Sequence, residues 1–116
     1  MARVKRGVTA HKRHKRLLKA AEGRRGTKSR LIKPAREALL HAMAYSYVGR
    51  KQRKRQLRAL WIVRLNAAAR QHGLTYGKLV AGLKRAGVAL DRKILADIAV
   101  RDAATFASIA EVARAS

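Results

Sequence analysis

Six Lys or Arg side chains fall within the nine positions from Arg50 to Arg58, and Leu60-Trp61-Ile62-Val63 follows with neither Pro nor Gly between. Cations at that density do one kind of chemistry well: they neutralise phosphate. On a helix advancing about 100° per residue, Arg50, Lys51, Arg53, Lys54, Arg55 and Arg58 cover an arc of roughly 200°. A solvated face is the ordinary reading of a charge run. Here, however, no Asp or Glu lies between Glu37 and Asp91, so like charges at i+3 and i+4 oppose the helix unless an outside anion offsets them. If about ten such cations meet phosphates, log K falls with log salt at a slope of about −7 to −9.

Other chemistries find no comparable support. His11 and His14 share a spacing seen in metal sites, but five cations between Lys12 and Lys19 repel a metal ion and no carboxylate or Cys ligand is close by, so no metal is expected. Asp91, Asp97, Asp102 and Glu111 sit where helix caps and solvent faces need acids. No nucleophile-base set, paired carboxylates or Gly-rich nucleotide loop accompanies them. The sequence is therefore read as non-enzymatic, with no cofactor and no small-molecule substrate. It has no Cys and hence no disulfide framework. The basic N-terminus lacks an apolar segment behind it and the Ser enrichment of a transit peptide, and nothing reads as a membrane span or anchor. A cytoplasmic protein is the expectation, with an organellar one left open.

The elements that must hold these residues follow from length and charge placement. A chain of 116 residues and 12.9 kDa has room for one modest core. Its 29 Lys and Arg against 6 acids give a net charge of +23, which opposes compaction unless a polyanion is bound. Residues 1–58 hold 20 of those cations and 2 acids, net +18, whereas residues 59–116 hold 9 and 4, net +5. The pattern predicts a basic extension over 1–58 embedded in nucleic acid and a small helical domain over 59–116. The extension alone, residues 1–58 free of nucleic acid, is expected to be largely disordered.

No stretch alternates at period two, and the fold class is all-α. The first ten residues read as an irregular tail and His11–Glu22 as a short helix stopped by Gly23. Gly23–Arg30, GRRGTKSR, reads as a loop whose backbone can approach phosphates closely. Pro34 suits a first helical turn. A long helix over about 31–72 then bridges both parts, provided Gly49 tolerates it at a cost of about 1 kcal/mol, and Gly73 ends it. Thr75, Asp91 and Asp102 read as caps of three further helices. The expected core is Leu60, Trp61, Leu65, Leu79, Leu83, Ile94, Ile98, Phe106 and Ile109. With no zipper heptads and no readable recognition helix, structured RNA suits the basic arms better than duplex DNA. Tyr45, Tyr47 and Tyr76 are candidates for base stacking, with helix packing as the plainer role.

The run Lys54–Arg70, KRQLRALWIVRLNAAAR, closely resembles the signature of a known family, the bacterial large-ribosomal-subunit protein numbered twenty in the L series. RVKRGVTA from Arg3, KRHKR from Lys12, RGTKSRL from Arg25 and LDRKILADIAVRD from Leu90 extend the likeness over essentially the whole chain. The resemblance implies an N-terminal helical extension buried in large-subunit ribosomal RNA and a compact helical C-terminal domain. It also implies direct RNA binding, an early role in subunit assembly beside neighbouring large-subunit proteins, and in some members repression of their own messenger RNA through the C-terminal domain.

Carried onto this chain, it points to Arg3, Lys5, Arg6, Lys12, Arg13, His14, Lys15, Arg16, Arg25, Lys28, Arg30, Arg50, Arg53, Lys54, Arg55 and Arg58 as RNA contacts. Lys51 joins them through the charge run. Arg24 belongs to the same basic loop, although the family often has an aromatic there. Arg64, Asn66 and Arg70 lie inside the signature, where RNA contact and structural roles are both open. The leading expectation is a structural and assembly protein of the large subunit. The competing ones are a translational repressor acting through residues 59–116 and a histone-like protein that compacts DNA.

Overall fold

The computed structural model describes residue 3 and residues 5–116. Its described residues form α1 (Gly7–Ala20), a 3-10 turn (Gly26–Ser29), α2 (Ile32–Gln71), α3 (Tyr76–Arg85), α4 (Arg92–Arg101) and α5 (Ala103–Ala115), with no strand among them. None of these helices is long and apolar enough to cross a membrane. The chain divides into two compact units, Met1–Lys51 and Gln52–Ser116.

In the first unit, α1 starts earlier than the charge pattern suggested. Ala10 donates its N–H to the carbonyl of Arg6 at 2.9 Å, so residues 7–10 are helical rather than an irregular tail; positions 1, 2 and 4 of that tail lie outside the described residues. Nothing in Gly7-Val8-Thr9-Ala10 forbids the helical backbone, and the absence of apolar periodicity reflects only that α1 buries no residue. The helix ends two residues before Glu22, where Gly23 takes φ 81°. Gly26 opens the 3-10 turn at φ 65°, and Ser29 Oγ donates back to its carbonyl at 3.1 Å. Pro34 falls in the first turn of α2, where its missing N–H is no loss. Only Ala21 and Ala35 are buried among the described residues of this unit. Little apolar burial therefore holds it together.

α2 is helical over 40 residues, Gly49 included. Past Arg58 it acquires an apolar stripe of Trp61, Leu65, Ala68 and Ala69. Two paired hydrogen bonds close it: Leu74 N–H to Ala69 O at 2.9 Å and Gly73 N–H to Arg70 O at 3.0 Å, with Gly73 at φ 72°. α3 ends the same way, with Val88 bonded to Leu83 O, Gly87 bonded to Lys84 O, and φ 72° at Gly87. Both terminations fold an apolar side chain, Leu74 or Val88, back onto the core. The starts are capped as the sequence suggested. Thr75 accepts from Lys78 N–H, Asp91 from Ile94 N–H at 2.8 Å, and Asp102 from Thr105 N–H at 3.0 Å.

The core of the second unit contains Leu65, Leu79, Leu83 and Phe106, with Trp61, Ile98 and Ile109 half-buried around them. Leu60 and Ile94 do not join it: they are 43% and 46% exposed. Each precedes a core residue, Trp61 or Leu95, by one position, and one position swings a helical side chain about 100°, beyond the edge of the stripe. Leu74, Leu95 and five alanines, Ala68, Ala69, Ala96, Ala110 and Ala113, complete the core. Those alanines permit close helix approach. α3 crosses α5 at Gly82, where an added Cβ would lie 2.7 Å from the carbonyl carbon of Ala113 and 2.9 Å from its Cα.

Two outcomes follow. Gly82→Ala should lower the stability of the full chain by about 1–3 kcal/mol, despite the better helix propensity of Ala, whereas Gly77→Ala, which meets nothing, should not. Urea midpoints compare the two; an unchanged midpoint for Gly82→Ala would refute the crossing. Separately, the Thr105 hydroxyl, then the Thr105 and Ala104 N–H groups, hold the Asp102 carboxyl below its ordinary 3.8. A depressed folded value means the cap's contribution is present above pH 3.8 and lost as pH falls through the folded value. Asp102→Asn should therefore flatten part of the acid decline in melting temperature below pH 3.8, and an identical decline would contradict it.

Candidate nucleic-acid interface

The candidate residues of the first unit are carried by three short pieces of backbone. Arg3, Lys5 and Arg6 precede α1 and are exposed, as are Lys12, Arg13, His14, Lys15 and Arg16 along it. Helix geometry spreads these around α1, which has no buried face to reserve. Arg25, Lys28 and Arg30 are exposed on and beside the 3-10 turn. Arg24 differs, being half-buried with its guanidinium donating to the Ala20 carbonyl at 3.1 Å, so it caps the end of α1. An open groove of about 830 Å³ separates α1 from the turn, lined by His11, His14, Lys15, Lys19, Glu22 and Ser29 among others. Its cations outnumber its single carboxylate, which suits an anion.

Arg50 and Lys51 are exposed on α2, and Lys51 Nζ sits over the Tyr47 ring at 5.3 Å from its centroid. In the second unit, Arg53, Lys54, Arg55, Arg58 and Arg64 are exposed along α2. Asn66 is half-buried and accepts from Arg70 Nε at 3.4 Å, an i,i+4 pair on the helix surface. Lys19, Lys33 and Arg36 are exposed cations of the same basic region that motif matching passed over; a plain count of charge along the helices finds them.

The electrostatics are one-sided. Among the described residues the single ion pair is Arg101 with Asp97 at 2.9 Å, and it is on α4. The cations of residues 3–58 have no carboxylate within pairing distance, so their mutual repulsion is offset only by solvent and salt. No polar or charged side chain is buried among the described residues, and no group of three metal-ligating side chains is assembled there. What the arrangement can do is bind a polyanion along exposed helices.

The three tyrosines separate into two kinds. Tyr76 is half-buried against the core and its hydroxyl accepts from Arg92 Nε at 2.8 Å, which gives it a packing role. Tyr45 and Tyr47 are exposed, at 71% and 57%.

Comparison with known sequences gives a consistent result. The family described as ribosomal protein L20 matches residues 3–109. The large ribosomal subunit protein bL20 of Roseiflexus sp. (strain RS-1) is 60% identical over 114 residues, covering 98% of this chain and 97% of that protein. That of Roseiflexus castenholzii (strain DSM 13941 / HLO8) is 58% identical over 114 residues, with the same coverage of both chains. That of Lawsonia intracellularis (strain PHE/MN1-00) is 55% identical over 112 residues, covering 97% and 96%.

Proposed function

Because this chain belongs to the ribosomal protein L20 family, and is thus a structural constituent of the large ribosomal subunit rather than an enzyme, we propose that residues 3–58 bind large-subunit ribosomal RNA directly and promote early subunit assembly. The observation that carries this reading is the uncompensated charge: residues 1–58 hold 20 cations and 2 acids, and the described ones form no ion pair. Cationic helices laid among RNA helices screen phosphate repulsion where RNA segments converge, which favours a compact RNA fold. Arg3, Lys5 and Arg6, the cations of α1, those of the 3-10 turn, and Arg50 to Arg58 are the proposed phosphate contacts. The less charged second unit supports neighbouring large-subunit proteins and further RNA contacts through Arg64 and Arg70. The cytoplasmic ribosome is the proposed location.

Binding of the full chain to large-subunit ribosomal RNA, to a structured messenger leader and to duplex DNA, each across a salt series, tests this. The ribosomal RNA should bind tightest, with a slope of log K against log salt of about −7 to −9 when about ten of the proposed contacts neutralise phosphates at once. Replacing Arg53, Lys54, Arg55 and Arg58 together by Gln should make that slope shallower by about 3 and weaken binding at low salt. Equal affinity for all three nucleic acids, or a slope unmoved by the four substitutions, would overturn the proposal.

A further inference from the structure

Within the basic first unit, one stretch of α2 is chemically unlike its surroundings. Residues 37–49, EALLHAMAYSYVG, contain no Lys or Arg, although Lys33 and Arg36 precede them and Arg50 and Lys51 follow. The large apolar and aromatic side chains most exposed there are Leu40 at 63%, Met43 at 64%, Tyr45 at 71% and Tyr47 at 57%, beside the polar Glu37, His41 and Ser46. Apolar exposure on this scale marks a contact surface, and its lack of cations means that the contact is not made to phosphate.

The two tyrosines are held in a way that narrows the choice of occupant. His41 lies against Tyr45 in an offset stack, with ring centroids 6.1 Å apart and planes 25° from parallel. Lys51 covers Tyr47 from one turn further along, with Nζ 5.3 Å from the centroid. Each phenol thus has a same-helix partner at one side and is otherwise open. The rings are two residues apart, which places them about 200° around the helix from each other. A flat protein surface cannot cover both sides of a helix at once. Folded RNA that surrounds the helix can offer an unpaired base to each side, and the flanking cations at residues 33, 36, 50 and 51 suit the phosphates of the nucleotides that carry those bases.

We infer that Tyr45 and Tyr47 are base-stacking sites, each taking one unpaired nucleobase of the RNA on the open face of its ring, with His41 and Lys51 as the supports that hold the rings. This rests on the ribosomal RNA reading above and assigns to α2 a contact of a different kind from its phosphate contacts. Stacking depends on the π-face and not on the hydroxyl, so Tyr→Phe preserves it and Tyr→Leu removes it. Because no phosphate contact is lost, the salt slope stays the same while affinity falls.

The test uses the full chain and an in vitro transcript of large-subunit ribosomal RNA. Irradiation of the complex at about 254 nm followed by nuclease digestion and peptide mass spectrometry should place nucleotide adducts on Tyr45 and Tyr47, stacked rings being the ones close enough to couple. Tyr45→Leu and Tyr47→Leu should each weaken binding about 5- to 100-fold with an unchanged salt slope, while Tyr45→Phe and Tyr47→Phe bind as the parent does. Amide hydrogen exchange of each variant in its complex with the transcript confirms that α2 is intact when bound. Parent-like affinity of the Leu variants with no adduct on either ring would overturn the inference and assign the surface to a protein neighbour. A loss accompanied by a shallower slope would overturn it too, since the phosphate contacts would then have been disturbed. Absence of steep, salt-dependent binding by the parent chain would instead bring down the RNA-binding proposal itself.

Discussion

Repulsion among cations that no carboxylate neutralises is the constraint on which the rest of this molecule depends. A net charge of +23 on 116 residues is tolerable only if charge is kept apart from the core or is met by an external anion. The first of these is visible in the fold. The most basic segments are helices with almost nothing buried, α1 having no buried residue at all, so no desolvated charge has to be stabilised. The buried apolar cluster is drawn from the less charged second half, where acids serve as helix caps.

The second unit folds with small parts. Beyond the end of α2 its helices run only ten to thirteen residues, and three side-chain caps and two glycine-terminated ends satisfy backbone groups that would otherwise be left open. Alanine and Gly82 allow close approach, so that Phe106, Leu65 and Leu79 can be fully enclosed by a small number of residues. No described side chain of residues 1–58 belongs to this core. Cations of the second unit are used within the fold: Arg114 donates to the His72 carbonyl and Arg92 to the Tyr76 hydroxyl.

Much of this was legible from residue types alone, and the exceptions share a cause. Thr75, Asp91 and Asp102 were readable as caps, and Gly23 and Gly73 as helix ends, because these are local backbone effects that one or two side chains decide. The start of α1 at Gly7 was not, because Gly7-Val8-Thr9-Ala10 is a single turn, too short to show a period of its own. Leu60 and Ile94 lie one position off the buried stripe, an angular difference that side-chain size does not show, and the core alanines carry little hydrophobicity to mark them. In the candidate interface, charge density marked the cations directly. The use of Tyr76 as a partner of Arg92 depends on a neighbour sixteen residues away that only the folded chain brings close, whereas Arg24 caps through the Ala20 carbonyl one turn back.

If the cations of residues 1–58 are uncompensated until RNA arrives, the two units must differ in how far their helices depend on the partner. Amide hydrogen exchange of the full chain, alone and bound to large-subunit ribosomal RNA, measures this residue by residue. The account predicts that amides of α1 and of α2 up to Arg58 exchange rapidly in the free protein and become strongly protected on RNA, while those of α3 and α5 are protected in both states. Equally strong protection of α1 and the first half of α2 in the free protein, or no gain on RNA, would contradict it.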